Sequence, residues 1–201
     1  MRYAILGAGY IAPVNAAAIL ACEDAQIVCI ANRTAEKAEA VKQKLGLSCP
    51  VYTDYREALD REKPDAAVIC VFNDQHREYF TECARRGIHV LCEKPLANTY
   101  EDCLFMMEEA KKTGIRVSVL QTQRYGAVLT TAAGWISDHL DELGELCGVE
   151  DNMSVHYFWD GRNPWHLDSV RSGGGIVLNY GVHQLDRVHW MLTVGSGEAR
   201  T

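Results

Sequence analysis

Short apolar runs alternate with longer amphipathic segments through residue 119 of the chain. The apolar runs predict strands at residues 3–7, 26–31, 65–71, 88–92 and 115–120. The amphipathic segments predict helices at about residues 10–22, 34–45, 54–61, 75–86 and 99–113. Because the runs are apolar throughout rather than at alternate positions, they are typical of parallel strands that helices cover on both faces. This order predicts an α/β fold, with a Rossmann-type doubly wound parallel sheet in a first domain at residues 1–120.

The pattern changes after Leu120. A helix is predicted from about Tyr125 to Leu143, and a strand at residues 145–159 has the partial alternation of a sheet with one exposed face. A last helix is predicted at about residues 179–192, so the beginning of an α+β second domain is expected at residues 121–201. One strand and two helices are a poor basis for an independent core. We therefore expect further strands to come from another chain or from a longer gene product.

Composition and charge argue against several classes of partner, although local basic patches remain possible. The formal net charge of −7 argues against nucleic acid, because phosphate binding depends on a basic surface. No run reaches the ~18 apolar residues of a membrane span, so no membrane partner is expected. Eight cysteines include no C-x-x-C pair, which favours free thiols, many of them buried, and a cytoplasmic location. The Cys, His and acidic residues lack the spacing of a zinc or EF-hand site, so no metal is predicted.

The segment "GAGYIA" follows the first predicted strand and opens the first predicted helix. Gly7 permits a tight turn, Gly9 lets a pyrophosphate approach the main chain, and the small Ala12 lets helix and strand pack closely. Tyr10 and Ile11 lie between these positions, where the N-terminus of a helix binds phosphate. The pattern predicts a dinucleotide site, although a plain tight turn between strand and helix would also satisfy it.

The second predicted strand is followed by "ANRT". An NAD site usually offers an acidic residue about 20 positions after the glycines, whereas Asn32 and Arg33 stand here instead. A guanidinium without a nearby carboxylate suits the 2′-phosphate of NADP, so the sequence favours NADP over NAD. The alternative is that Arg33 is a solvated loop residue without a ligand.

The segment "CEKP" ends the fourth predicted strand. It is expected at the carboxyl edge of the sheet, where open α/β sheets bind their ligands, so Glu93 and Lys94 are predicted beside the cofactor. A partly desolvated lysine has a lowered pKa and exchanges a proton with a substrate hydroxyl. A surface ion pair between Glu93 and Lys94 is the alternative, but adjacent residues of an extended chain point to opposite sides.

Together, "GAGYIA", "CEKP" and the distal "GGGIVLNYGVHQLD" resemble the glucose-fructose oxidoreductase / inositol dehydrogenase / MocA family over nearly the whole chain. "FNDQH" at 72–76 resembles the family's loop beside the cofactor, which places Asn73 and His76 there, and "QTQRY" at 121–125 resembles its crossover into the second domain. The resemblance implies hydride transfer between C4 of a nicotinamide and a secondary alcohol of a sugar, inositol or related polyol. It also implies a large, open, mostly antiparallel sheet in the second domain, of which this chain contains only the beginning.

The resemblance also implies catalytic roles. Lys94 matches the family's catalytic lysine, and His183 matches its catalytic histidine. Asn179 stands four positions before that histidine, where many members have an aspartate. Because an amide hydrogen-bonds an imidazole but does not stabilise its protonated form as a carboxylate does, Lys94 is expected to be the principal acid/base. Asp186 is expected one turn after His183 on the same helical face.

A carbohydrate-like substrate requires an aromatic face and polar donors. The predicted substrate contacts are Arg124, Tyr125, Trp165, His166, Asn179 and His183. Tyr157 and Trp159, at alternate positions, are predicted to pack within the sheet instead. Two other functions stay open beside an NAD(P)-dependent oxidoreductase: an NAD-dependent glycosidase that works by transient oxidation, and a truncated, non-catalytic dinucleotide-binding protein. A homo-oligomer also stays open, since oligomerisation in such proteins depends on the missing sheet.

Overall fold

The computed structural model describes residues 1–196. Residues Met1–Leu120 form one compact unit, and a second unit begins at Gln121. Every strand in the described part of the chain belongs to the first unit. The last five residues of the predicted second domain, 197–201, lie outside the described residues.

The first unit is built on a six-stranded parallel sheet. Its strands are β1 (Arg2–Leu6), β2 (Gln26–Ala31), β3 (Val51–Tyr52), β4 (Ala66–Ile69), β5 (His89–Glu93) and β6 (Val117–Leu120). The order across the sheet is β3-β2-β1-β4-β5-β6, so the winding reverses between β1 and β4. This order confirms the predicted Rossmann-type sheet and places its topological switch point beside the end of β1.

The apolar pattern of the sequence does not predict β3. This strand has only two residues, Val51 and Tyr52, which pair with Ile30 and Ala31 of β2. Both residues of β3 are half-buried, and a strand of this length is too short for an apolar period to show. Its formation follows from pairing with a neighbouring strand.

Five helices connect the strands: α1 (Ala12–Leu20), α2 (Ala35–Lys44), α3 (Tyr55–Glu62), α4 (His76–Arg85) and α5 (Tyr100–Thr113). Local side chains fix several of their ends. The carboxylate of Asp54 accepts a hydrogen bond from the main-chain N of Arg56 at 2.8 Å and begins α3. The hydroxyl of Thr99 accepts from the main-chain N of Asp102 at 3.1 Å and begins α5. Gly114 ends α5 with a left-handed φ of 72°.

The helices cover both faces of the sheet. Phe80 and Met106 are buried on one face together with Leu6, whereas Ile5 and Ile30 belong to the core of the other face. Burial of an aliphatic or aromatic side chain of this size contributes about 1.5–3 kcal/mol. Because consecutive residues of β1 face opposite layers, the strand is apolar throughout, as the sequence pattern indicates for a covered parallel strand.

The second unit contains helices and irregular segments within residues 121–196. Its helices are α6 (Ala127–Asp138), α7 (Leu140–Leu143), α8 (Ser169–Ser172) and α9 (Val182–Gly195), and a π-helical turn at Val177–Gly181 leads into α9. The predicted strand at residues 145–159 is wrong, since residues 121–196 contain no strand. A lone strand leaves its main-chain N–H and C=O groups unpaired, and this part of the chain offers no neighbouring strand to pair with.

All eight cysteines are free, and five of them are buried: Cys29, Cys49, Cys70, Cys83 and Cys92. Burial raises the pKa of the Cys70 and Cys83 thiols to about 12, so both stay neutral at physiological pH. No group of three or more His, Cys, Asp or Glu side chains within residues 1–196 is arranged to hold a metal ion. In the same range, no helix combines the length and apolar character that crossing a membrane requires.

Gly7→Ala should destabilise the first unit strongly. Gly7 has a φ of 99°, and a Cβ there would lie 2.5 Å from the carbonyl oxygen of Cys70. The expected loss in the free energy of unfolding is about 3 kcal/mol, measured by urea titration with far-UV circular dichroism. Gly46→Ala is the matched control, because Gly46 has a φ of 63° and no atom within 4 Å of its added Cβ. It should cost about 1 kcal/mol, and equal losses for the two variants would contradict the steric argument.

Candidate cofactor and catalytic site

The glycine turn after β1 is held by main-chain and side-chain hydrogen bonds. The main-chain N of Gly7 donates to the carbonyl of Ala31 at 2.8 Å. The main-chain N of Ala8 donates to Oδ1 of Asn32 at 3.0 Å, and Nδ2 of Asn32 donates to the carbonyl of Thr34 at 2.8 Å. Asn32, predicted as a cofactor contact, therefore ties the glycine turn to the segment after β2.

The start of α1 presents a row of main-chain amides. Those of Gly9, Tyr10 and Ile11 find no acceptor within residues 1–196. Ile11 caps α1 without a side-chain hydrogen bond, and Tyr10 is 96% exposed. A Cβ on Gly9 would lie 3.8 Å from the carbonyl oxygen of Cys70, so this part of the turn is not crowded. Unpartnered amides at the positive end of a helix stabilise anions, so these residues fit the pyrophosphate of a dinucleotide.

Basic side chains lie near this turn. Arg33 is exposed and has no hydrogen bond or ion pair within the described residues. An open depression of about 280 Å³ separates the glycine turn from α2, and its lining includes Gly9, Lys37 and Lys44. Lys37 was not predicted as a phosphate contact from the sequence. Its position in the first turn of α2, four residues after Arg33, is the signal that could have indicated it. The arrangement can hold a phosphate beside the second strand.

Glu93 anchors the end of β5 to α1. Its side chain is buried, with 8% of the residue exposed, and Oε1 accepts a hydrogen bond from Nδ2 of Asn15 at 2.8 Å. Oε2 accepts from the main-chain N of Lys94 at 3.2 Å. A surface ion pair between Glu93 and Lys94 requires an exposed carboxylate, and the buried side chain of Glu93 does not meet that requirement. Lys94 follows directly, half-buried at the carboxyl edge, and the Lys94–Pro95 peptide bond is cis.

His76 is buried against the segment that follows β5. The ring is 0% exposed; Nδ1 lies 2.9 Å from the carbonyl of Pro95, and Nε2 lies 3.2 Å from the carbonyl of Val71. Burial lowers the pKa of His76, because desolvation disfavours the charged ring. With no exposed surface, the ring holds the loops around the predicted site and offers no face to a ligand. Asn73, in the 3₁₀ turn at Asn73–Gln75, lies three residues before His76.

The second unit carries the two distal residues of the predicted site. Asn179 lies within the π-helical turn, and His183 follows as the second residue of α9 with 7% of its area exposed. A π-helical turn is wider than an α-helical one and is frequent at functional sites. The chain thus brings Asn179 and His183 onto one continuous helical stretch, within the second unit.

Asp186 lies three residues after His183 in α9 and pairs with an arginine. Its carboxylate accepts two hydrogen bonds of 2.7 Å from Nε and Nη2 of Arg124. These bonds raise the pKa of the Arg124 guanidinium. Arg124, which the sequence predicts as a substrate contact, thus has its guanidinium engaged by a carboxylate 62 residues away.

The remaining predicted substrate contacts differ widely in exposure. Tyr125 is 81% exposed, whereas Trp165 is 9% exposed. The rings of Trp165 and His166 meet edge to face with centroids 4.8 Å apart. The pair lies in the 3₁₀ turn at Pro164–Leu167, whose start is fixed by Asn163 Oδ1 accepting from the main-chain N of Trp165 at 3.1 Å.

Comparison with known proteins identifies oxidoreductases as the proteins that this chain is similar to. The family described as "Oxidoreductase family, NAD-binding Rossmann fold" (GFO_IDH_MocA) matches residues 1–121. The chain is similar to 1,5-anhydro-D-fructose reductase of Ensifer adhaerens, with 27% identity over 98% of this chain and 58% of the relative. It is also similar to myo-inositol 2-dehydrogenase of Thermotoga maritima, with 26% identity over 96% of this chain and 55% of the relative.

A solved structure is similar as well. The aldose-aldose oxidoreductase of Caulobacter crescentus, complexed with glycerol, aligns with a TM-score of 0.74 and 25% identity. The alignment covers 96% of this chain and 57% of that structure. The chain therefore spans little more than half the length of the proteins it resembles.

Asn15→Ala should reveal how much the buried bond to Glu93 contributes. Removing the amide leaves a buried carboxylate oxygen without that donor, and the expected loss in the free energy of unfolding is about 2 kcal/mol. Asn152→Ala is the matched control, because Nδ2 of Asn152 also donates to a glutamate, Glu150, at 2.7 Å but on an exposed surface. It should change the free energy by less than about 0.5 kcal/mol. Urea titration of both variants decides the point, and similar losses would contradict an anchoring role for Glu93.

Proposed function

The chain belongs to the Gfo/Idh/MocA oxidoreductase family, which is described by an NAD-binding Rossmann fold, and we propose that it oxidises a secondary alcohol of a carbohydrate-like substrate with a nicotinamide dinucleotide. One observation carries this proposal most directly. The same helix, α1, presents unpartnered amides at its N-terminus and holds the strand end that bears Lys94 through the bond from Asn15 to Glu93. The amides that would bind a phosphate and the amine of Lys94 both follow strands at their carboxyl ends, which supports the proposal.

The cofactor, when bound, would supply the hydride acceptor at its nicotinamide ring. The chain's own residues would bind the cofactor and transfer the proton. The amides of Gly9, Tyr10 and Ile11 would hold the pyrophosphate, since helix N-termini bind anions. Nζ of Lys94 would take the proton of the substrate hydroxyl during oxidation and return it during reduction, as a positioned general base and acid.

His183 is proposed as a second proton-transfer group, a role carried over from the resemblance. Asn179 precedes it in the π-helical turn, at the position where the family resemblance implies an aspartate in many members. An amide can orient an imidazole by a hydrogen bond, but it gives little stabilisation to the positive charge of the protonated ring. This difference supports Lys94 as the principal acid/base.

The substrate class is proposed from two kinds of support. The names of the similar proteins refer to an anhydrofructose and to myo-inositol, which are both rich in hydroxyl groups. The edge-to-face pair of Trp165 and His166 offers an aromatic ring and a polar ring nitrogen, the combination that binds the faces and hydroxyls of a sugar. Tyr125 would add an exposed ring to the same unit.

Lys94→Ala should lower turnover by ~10²–10⁴ while cofactor binding is retained, because the proton-transfer group is lost but the phosphate-binding turn is not. Turnover is followed by the absorbance of the reduced nicotinamide over a panel of sugars, inositols and sugar nucleotides. Lys112→Ala is the control, because Lys112 lies on the surface of α5, where it pairs with Glu109 at 2.9 Å. Full turnover and normal cofactor binding by the Lys94→Ala variant would contradict the proposed mechanism.

The same assay separates the competing functions. Release of the aglycone from an aryl glycoside without net cofactor reduction would favour the glycosidase. Cofactor binding without turnover of any panel member by the unmodified chain would favour a non-catalytic dinucleotide-binding protein. Either result contradicts the proposed oxidoreductase.

Arg33→Ala should weaken NADPH binding by about 10–100-fold and leave NADH binding within about 2-fold. Only NADPH carries the 2′-phosphate that the free guanidinium of Arg33 would contact. Arg61→Ala is the control, because Arg61 is exposed on α3 and pairs with Glu57 at 2.9 Å. Dissociation constants come from fluorescence titration at physiological salt. Tighter binding of NADH than of NADPH by the unmodified chain would reject the preference for NADP.

A further inference from the structure

Arg162 is buried between two aromatic rings in the second unit. The residue is 8% exposed. Its Cζ lies 3.6 Å from the ring centroid of Tyr157 and 4.2 Å from that of Trp159. The rings of Tyr157 and Trp159, which the sequence predicts as sheet packing, therefore stack on a guanidinium instead. Stacking uses the flat face of the group and leaves the N–H groups at its edge to be satisfied separately.

These N–H groups have no partner in the described part of the chain. Nε, Nη1 and Nη2 of Arg162 are all buried and find no acceptor within residues 1–196, and the buried hydroxyl of Tyr157 also has no partner there. Two other arginines of the unit show the usual arrangement: Arg124 binds Asp186 through two bonds of 2.7 Å, and Arg187 binds Asp151 through two bonds of 2.8 Å. Arg162 differs from both, because no carboxylate within residues 1–196 accepts a hydrogen bond from it.

The carboxylates close to it in the sequence do not supply the missing acceptor. Asp160 is exposed and makes no hydrogen bond to Arg162. Asp168 uses Oδ1 to accept from the main-chain N of Val170 at 3.0 Å and of Arg171 at 3.2 Å, which begins α8. A buried guanidinium without an anion is unfavourable, and cation–π contacts offset only part of that cost. The three N–H-bearing nitrogens of Arg162 therefore lack an acceptor within residues 1–196, and an anion from outside these residues would supply one.

We propose that Arg162 and the hydroxyl of Tyr157 bind the carboxylate of an acidic, sugar-like substrate. The guanidinium edge matches the two oxygens of a carboxylate, and a single negative charge balances a single buried positive one. The ring of Tyr157 meets that of Tyr180 edge to face with centroids 6.0 Å apart, and Tyr180 follows Asn179 in the π-helical turn. The carboxylate site thus adjoins the helical stretch that carries Asn179 and His183. This inference rests on the proposed function and specifies its substrate class.

The test compares D-glucuronate and D-gluconate with D-glucose by isothermal titration calorimetry, in the presence and absence of NADPH. The unmodified chain should bind the acids at least ~10-fold more tightly than glucose. Arg162→Met should lose at least ~10-fold in affinity for the acids and retain its affinity for glucose. Arg171→Met, which removes an exposed arginine of the same unit, should leave both unchanged. Equal binding of acid and neutral sugar by the unmodified chain would overturn the proposal.

Stability gives a second readout. Without ligand, Arg162→Met should have a Tm equal to or above that of the unmodified chain, because it removes an uncompensated buried charge. Glucuronate should raise the Tm of the unmodified chain and leave that of the variant unchanged. A clear loss of Tm in ligand-free Arg162→Met, together with no acid-dependent shift in the unmodified chain, would make Arg162 a structural residue and overturn the proposal.

Two milder variants decide the matter if Arg162→Met does not fold. Arg162→Lys keeps the charge but loses the two-pronged edge, and Tyr157→Phe keeps the stacking ring but loses the hydroxyl. Each should weaken glucuronate binding by at least ~3-fold, and unchanged affinity in both would overturn the proposal. Titration with NADPH alone separates this outcome from failure of the proposed function. Normal cofactor binding and turnover of a neutral polyol, without preference for acids, would reject the carboxylate site only.

Discussion

The contact between Gly7 and the carbonyl of Cys70 is the constraint on which the first unit depends. A side chain at Gly7 would also meet the carbonyl carbon of Cys70 at 2.7 Å, so only a residue without a Cβ lets the ends of β1 and β4 approach this closely. These strands flank the topological switch point of the sheet. Because the turn is tight, α1 begins near the sheet edge, and the amides of Gly9 to Ile11 have no acceptor within residues 1–196, as the proposed phosphate site requires.

The anchoring of Glu93 explains why an apolar strand ends in two charged residues. A buried carboxylate without partners would be costly, and the bonds from Asn15 and from the main-chain N of Lys94 offset that cost. The geometry of the lysine is thereby coupled to α1, the same helix whose N-terminus fits the phosphates. Small displacements of a reacting group lower the rate of reaction greatly. A rigid link between the two parts of the site is therefore what the proposed chemistry needs.

Much of this arrangement could be predicted because it depends on local pattern. Continuous apolar strands indicate a sheet covered on both faces, and glycines at fixed spacing indicate a phosphate-binding turn. The errors concern residues whose state depends on distant partners. Pairing with β2 creates β3, and the absence of any partner strand in residues 121–196 leaves residues 145–159 irregular. The bond between Arg124 and Asp186 could not be read from local pattern either, because the two residues are 62 positions apart.

The two arginines proposed to bind anions work in different electrostatic environments. The chain has a net charge of −7, which repels acidic ligands at long range. At physiological ionic strength the Debye length is about 8 Å, so the repulsion is weak at larger distances. The same screening weakens the attraction between an anion and an exposed group such as Arg33. Arg162 is 8% exposed, and salt has little access to it. The proposed affinity at Arg162 would therefore depend on direct hydrogen bonds and on the aromatic rings that hold the guanidinium, whereas the proposed affinity at Arg33 would vary with salt.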